Sequence, residues 1–139
     1  MVFLWILLAV VVVVLGYIRL APSDPVEWHV APKGDESRDY GRGVLWVIET
    51  GPDGLEKLDE IAQSTPRTTV LAGSVSEGLI TYVTRTPTMG FPDYASAQQD
   101  GNTLKIYSRS RFGRSDFGVN RAKVEGWVDA LQAGGQSGG

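Results

Sequence analysis

Between Thr103 and Lys123 the chain carries six basic residues, Lys105, Arg109, Arg111, Arg114, Arg121 and Lys123, against a single acid, Asp116. The stretch begins as a strand, passes through a loop containing glycine and serine, and becomes a helix. At such a junction the first helical amides have no intrahelical partner, and the helix dipole favours negative charge. Arginines set around it can chelate an anion through two parallel N–H donors. The residues placed to hold an anionic group are Arg109, Arg111, Arg114, Ser115, Asp116, Asn120 and Arg121. Gly113 and Gly118 are five apart, but no Lys-Ser or Lys-Thr follows the second glycine. The nucleotide-triphosphate loop is therefore excluded, and so is the dinucleotide fingerprint.

Other chemistries have less to stand on. His29 is the only histidine, and the chain has no cysteine. That rules out a disulfide, a thiolate metal site, a cysteine nucleophile or a metal site built on several histidines. No carboxylate cluster suggests a metal or an acid–base pair, because Asp59-Glu60 lies on a helix that needs acids for its solvent face. Ser108, Ser110 and Ser115 have no neighbouring histidine base, and nothing specific pairs them with Lys105 or Lys123. No cofactor is implied. If a reaction is catalysed, Asp116 or Tyr107 is placed for proton transfer, with the arginines stabilising charge. A net charge of −3 argues against bulk attraction to nucleic acid.

Strand parity sorts the basic stretch. Leu104 and Ile106 share a face with Ser108 and Ser110, while Lys105, Tyr107, Arg109 and Arg111 share the other. If helices cover the Leu104 face, Arg109 and Arg111 point to the open side of the sheet, as ligand contacts or as a solvated basic face. On the following helix Phe117, Val124, Val128 and Leu131 define a buried stripe. Arg121, four residues after Phe117, falls on that stripe, with Asn120 beside it. Buried polar groups need partners. Two readings stay open: these residues clamp the loop from Phe112 to Ser115, with an Asp116–Arg121 pair as one version, or they line a ligand site.

The elements that position these groups follow from pattern. The chain has 139 residues, 42% hydrophobic and 21% charged, as a small globular protein would. Met1 to Ile18 is apolar with no charge before Arg19, and a helix over it nearly matches bilayer hydrocarbon. Trp5 and Tyr17 near its ends suit the interface. Residues 1–20 are expected to be an uncleaved transmembrane anchor, since a signal peptide would need a basic n-region and a small-x-small cleavage site. Arg19, Lys33 and Arg38 would by the positive-inside rule keep the following domain in the cytoplasm.

Residues 21–43 read as an irregular juxtamembrane arm, stiffened by Pro22 and Pro25 and anchored by Trp28, His29 and Tyr40. Leu45 to Thr50 is strand-like. Asp53 and Glu56 form a capping-box pattern before a short helix with Leu55, Leu58, Ile61 and Ala62. Thr68 to Gly73 and Leu79 to Thr86 are β-branched runs, and Asp100-Gly101-Asn102 marks a hairpin between Tyr94–Gln99 and Thr103–Arg111. The segment Met89 to Tyr94 reads as a hydrophobic plug over one end of the sheet or the rim of a binding surface. The last helix is capped near Ser115 or Asp116 and ends about Gln132. A glycine-rich tail at 133–139 is expected to be disordered. Strand, helix, four strands, helix implies an α+β domain over 44–132, with two helices on one face of a mainly antiparallel sheet.

Ser108 to Arg111, Gly113 to Asp116 and Gly118 to Arg121, together with Thr84-Arg85 and Gly90-Phe91-Pro92-Asp93, resemble the hallmark of the family catalogued as domain of unknown function fourteen-ninety-nine. The resemblance covers most of Leu45 to Leu131 and implies no reaction. It implies a bacterial envelope or plastid-lumen protein, often behind an export signal or anchor. That favours a single-pass protein of the bacterial inner membrane with its domain on the periplasmic side, against the charge rule. The partners expected are the membrane through 1–20 and an anionic small molecule, a lipid headgroup or an envelope protein. The alternatives are an enzyme acting on an anionic substrate, and a structural or protein-interaction domain whose arginine-rich turn only stabilises the fold.

Overall fold

The computed structural model describes residues 1–20, 22–40, 43–87, 90–111 and 118–137, with the side chains of 19 and 134–137 outside the description. Helix α1 (Val2–Leu20) is followed by a one-turn helix α2 (Pro25–Trp28) and a short strand β1 (Arg38–Asp39). Then come β2 (Gly43–Glu49), α3 (Gly54–Gln63), β3 (Thr68–Ser74), β4 (Leu79–Arg85), β5 (Pro92–Asp100), β6 (Thr103–Ser110) and α4 (Val119–Ser137). The strands form one sheet in the order β1-β2-β6-β5-β4-β3, antiparallel at every pairing. The expected α+β architecture is what the chain adopts.

Alternation along the strands builds the core. Val44, Ile80, Tyr82, Ala95, Ala97, Leu104 and Ile106 face the helices, where they meet Leu55, Leu58 and Ala62 of α3 and Val124, Trp127, Val128 and Leu131 of α4. Both helices lie on that one face, and the parity expected for β6 holds. Tyr82 reaches through the helix layer: its ring lies edge-on to Trp127, with centroids 6.0 Å apart, and its hydroxyl donates to Asp59 Oδ1 at 2.7 Å. Asp59 is thus more than a solubilising acid.

Several boundaries differ from expectation. The arm is not wholly irregular, because Asp24 caps α2 by accepting from the Val26 amide at 2.9 Å, and Arg38–Asp39 pair with Leu45 and Val44. The capping box at Asp53 does not form; Asp53 makes no side-chain cap bond and pairs with Lys57 instead. The α3 amide of Leu55 is taken by Gln99 Oε1 from β5 at 2.9 Å. The Gln99 amide nitrogen donates to the carbonyls of Gly51 and Gly101 at 3.0 and 2.9 Å. A tertiary cap replaces a local one. Helix α4 starts at Val119, later than a cap at Ser115 or Asp116 would place it, and continues to Ser137 through the expected tail. A glycine pair costs a helix only about 1 kcal/mol per residue, too little to end it by itself.

Helix α1 stands away from the domain, exposed from Met1 to Val14 and, among its described side chains, buried only at Ile18. Among the described residues no helix is long and apolar enough to cross a membrane. The apolar run 2–18 rises about 26 Å at about 1.5 Å per residue, short of a hydrocarbon core of about 30 Å. The expected transmembrane span over 1–20 is therefore not supported by this helix.

Tyr82 generates a pH prediction. Burial first, then the hydrogen bond and charge of Asp59, raise its pKa above the ordinary 10.0. The protonated phenol is the form the fold prefers. Its contribution is fully present below about pH 10 and declines as pH rises further, because the unfolded chain releases the proton while the folded chain keeps it. Tyr82→Phe should cost about 0.5–1.5 kcal/mol at neutral pH. It should also flatten the loss of stability between about pH 10 and 11, read by denaturant unfolding of the full chain. An unchanged alkaline slope would remove Tyr82 from this role.

Candidate functional site

The second face of the sheet is covered by the arm. Register places Tyr107, Ser96 and Thr81 in one row across β6, β5 and β4, and Arg109, Tyr94 and Val83 in the next. Trp28 stacks on Tyr94 with ring centroids 4.1 Å apart and planes at 12°. Nδ1 of His29 lies 2.8 Å from Thr81 Oγ1, which is 2.8 Å from Ser96 Oγ. The ring fits because Gly73 sits at φ +90°, where an added Cβ would come within 2.7 Å of His29 Cε1. Tyr40 meets Tyr107 edge-on at 6.0 Å. All three expected anchors of the arm make their contacts.

Arg109 lies beneath this cover, 6% exposed. Its Nη1 donates to Ser96 Oγ at 3.0 Å and to the Tyr107 carbonyl at 3.1 Å, and Nη2 donates to the Trp28 carbonyl at 2.6 Å. The guanidinium carbon sits 4.9 Å from the Tyr107 ring and 5.6 Å from that of Trp28. The reading of Arg109 as part of a solvated basic face is corrected by the arm. Among the described residues no carboxylate pairs with it, and burial pushes its pKa below the ordinary value. Arginine remains protonated at any working pH, so a positive charge is buried among neutral groups.

A groove of about 490 Å³ opens onto this charge, lined by Glu27, Trp28, Val30, Tyr40, Gly43, Tyr107, Arg109 and Ser110. Gly43 packs closely on β6, where an added Cβ would press on the Ser108 carbonyl and lie 2.7 Å from Arg109 Cβ. Glu27 is exposed at the rim, and its charge acts on Arg111. Arg111 donates to the Pro22 carbonyl at 3.0 Å and the Tyr94 hydroxyl at 3.3 Å. The Tyr94 hydrogen bond leads the effects that raise its pKa.

The other expected site residues separate from these. Asn120 is fully buried on the opposite face, accepting from Ser108 Oγ at 2.5 Å and donating to Ser110 Oγ at 2.9 Å. It ties α4 to β6. Arg121 does not lie on the buried stripe: it is exposed, bonded to Glu125 at 2.9 Å and to Asp39 at 3.5 Å, and the Glu125 hydrogen bond leads in raising its pKa. The stripe runs through Asn120, Val124, Trp127, Val128 and Leu131, rotated toward Trp127, which leaves Arg121 at its edge. Arg114, Ser115 and Asp116 lie outside the described residues, as does Phe117. Arg109 and Arg111 thus share one face with the groove, and Asn120 and Arg121 do not join them. Glu27, Val30 and Gly43 were not singled out from the sequence; the paired aromatic anchors Trp28 and Tyr40 were the signal that the arm packs here. Among the described residues no group of His, Asp and Glu is placed to hold a metal ion.

A family model described as "Protein of unknown function (DUF1499)" matches residues 20–131, and the chain belongs to that family. No curated protein matches the chain. The match begins in the last turn of α1 and takes in the arm, the sheet and α4 as far as Leu131.

The division between Asn120 and Arg121 can be measured. Asn120→Ala leaves the Ser108 hydroxyl without its buried acceptor and should lower stability by about 1–3 kcal/mol in denaturant unfolding of the full chain. Arg121→Gln should leave the stability nearly unchanged, as expected at an exposed surface position. Equal losses from the two would contradict a clamp centred on Asn120.

Proposed function

We propose that this protein is a membrane-tethered binding module whose groove between the arm and β6 holds an anionic group against Arg109. One observation carries the reading: a guanidinium 6% exposed, whose partners among the described residues are all neutral, lines a groove large enough for a small molecule. Three of its donor contacts go to neutral oxygens, which position the charge without neutralising it. An uncompensated buried charge is costly, and a carboxylate or phosphate arriving there would offset that cost. The faces of Trp28 and Tyr107 would flank such a group, and Arg111 on the same face would add to the local positive field.

The tether is α1. Its apolar side chains are exposed over most of its length, and an exposed apolar surface of that extent is normally covered by lipid or a partner. Trp5 and Tyr17 on it are amphipathic rings suited to a membrane interface. The resemblance to envelope proteins supports a domain on the periplasmic side of a bacterial inner membrane.

The test is thermal unfolding of the full chain in phosphatidylcholine nanodiscs, titrated with inorganic phosphate and with acetate. An anion at about 100 times its dissociation constant should stabilise by about 2.7 kcal/mol, a shift of several degrees. Arg109→Gln should abolish the shift. Glu27→Gln, which removes the negative charge at the exposed rim, should strengthen binding. No shift with either anion, or an equal shift in Arg109→Gln, would overturn the reading. So would unaltered binding in Glu27→Gln together with an Arg109→Gln protein that fails to fold.

A further inference from the structure

The groove at Arg109 does not end where its charge ends. A second cavity of about 320 Å³ is lined by Val30, Ala31, Lys33, Tyr40 and Tyr107. Val30, Tyr40 and Tyr107 belong to both, so the two spaces adjoin along the same three side chains. Their characters differ. The first holds Arg109 and Glu27. In the second Lys33 is the only charged residue among the described lining residues, and it is exposed. A lysine of that kind can lay its methylene stem along an apolar body while its ammonium stays in water.

The groove also lies at the end of the sheet where α1 joins it. Arg85 Nη1 reaches the Ile18 carbonyl at 3.4 Å, Arg111 reaches the Pro22 carbonyl, and Ser23 Oγ is 2.7 Å from the Tyr94 hydroxyl. Tyr94 pairs with Arg109 across β5 and β6. The apolar helix therefore leaves the domain beside the buried guanidinium, connected to it through Arg111, two residues further along the chain.

We infer that the ligand of this groove is an anionic amphiphile, a carboxylate or phosphate head joined to a slender apolar chain, with its head on Arg109 and its chain against Val30, Ala31, Tyr40 and Tyr107. This rests on Arg109 being the anion site. A bare inorganic anion would leave the second cavity unused, whereas a chain attached to the head would remove apolar wall from water. The same chemistry can arrive from solution as a free acid or from a bilayer as a single-chain lipid.

The experiment measures affinity of the full chain in phosphatidylcholine nanodiscs for the linear carboxylates from acetate to octanoate, using intrinsic tryptophan fluorescence, with octanol as the uncharged control. Affinity should rise by about two- to fourfold for each methylene that is buried. Octanol should bind far more weakly than octanoate. Ala31→Trp, which fills the second cavity, should erase the dependence on chain length while leaving acetate binding in place; Arg109→Gln should weaken every member. A second arm, nanodiscs doped with lysophosphatidate, identifies the source: protection against octanoate there means the head and chain are taken from the bilayer, and no protection means they come from solution. Acetate binding as tightly as octanoate would overturn this inference and leave the anion site standing. Octanol binding as tightly as octanoate, or no carboxylate binding at all, would overturn both.

Discussion

The structure depends on burying one arginine. Arg109 is on a central strand, between β2 and β5 in the sheet, at a position whose parity sends its side chain away from the helices. A guanidinium there can be covered only if acceptors come with the cover. The arm brings one, the Trp28 carbonyl, and the sheet supplies Ser96 Oγ and the Tyr107 carbonyl. The turn capped by Asp24 sets Trp28 over Tyr94, so that the indole stacks while its own carbonyl faces the charge. Stacking and cation–π attraction contribute about 0.5–2 kcal/mol each, and the hydrogen bonds to the charged group comparable amounts. Without the arginine the arm loses one of its ties to the sheet, and without the arm the arginine returns to water.

This constraint separates the two faces of the sheet by chemistry. The helix side is apolar and closed, with a small polar island where Asn120 meets Ser108 and Ser110. The arm side is polar and aromatic: His29, Thr81 and Ser96 form a hydrogen-bonded row that ends at Arg109. In that row the hydroxyls can pass their donors in either direction, while Arg109 can only donate. Ser96 is fully buried, so the row fixes the position of the guanidinium from below and leaves its ring-flanked edge toward the groove. Rigid placement of a charge is what a binding site needs, because less ordering is then required of the protein when a ligand arrives.

Most of the architecture was legible from pattern. A short apolar run and β-branched runs gave the strands, the Asp100-Gly101-Asn102 turn gave the hairpin, and strand parity placed Leu104 and Arg109 on opposite faces. What local pattern missed has a common physical origin, namely contacts between residues far apart in sequence. The cap of α3 comes from Gln99, more than forty residues downstream of the amide it satisfies. Strand β1 forms because β2 offers an open edge to Arg38–Asp39. Arg121 was assigned to a stripe anchored at Phe117; the face actually buried is rotated by Trp127, whose indole nitrogen bonds Thr65 across the helix pair.

The candidate site shows the same limit more sharply. A cluster of arginines reads in one dimension as a single site, yet consecutive positions on a strand point to opposite faces and a helix turns its residues through 100° at each step. Folding therefore distributes the cluster: Arg109 and Arg111 go to the arm side, Asn120 into the helix side and Arg121 to the surface. A clamp on the loop from Phe112 to Ser115 falls outside the described residues, and Asn120 instead holds the start of α4 to β6. Arg109 is the charge left without an acid among the described residues, and the same strand carries both consequences because Ser108 and Arg109 are neighbours pointing opposite ways. A change at either face that shifted β6 along its register by one residue would exchange the two roles, placing the arginine in the core and the serine beneath the arm. The pairing of β6 with β2 and β5 over its whole length is what prevents that exchange.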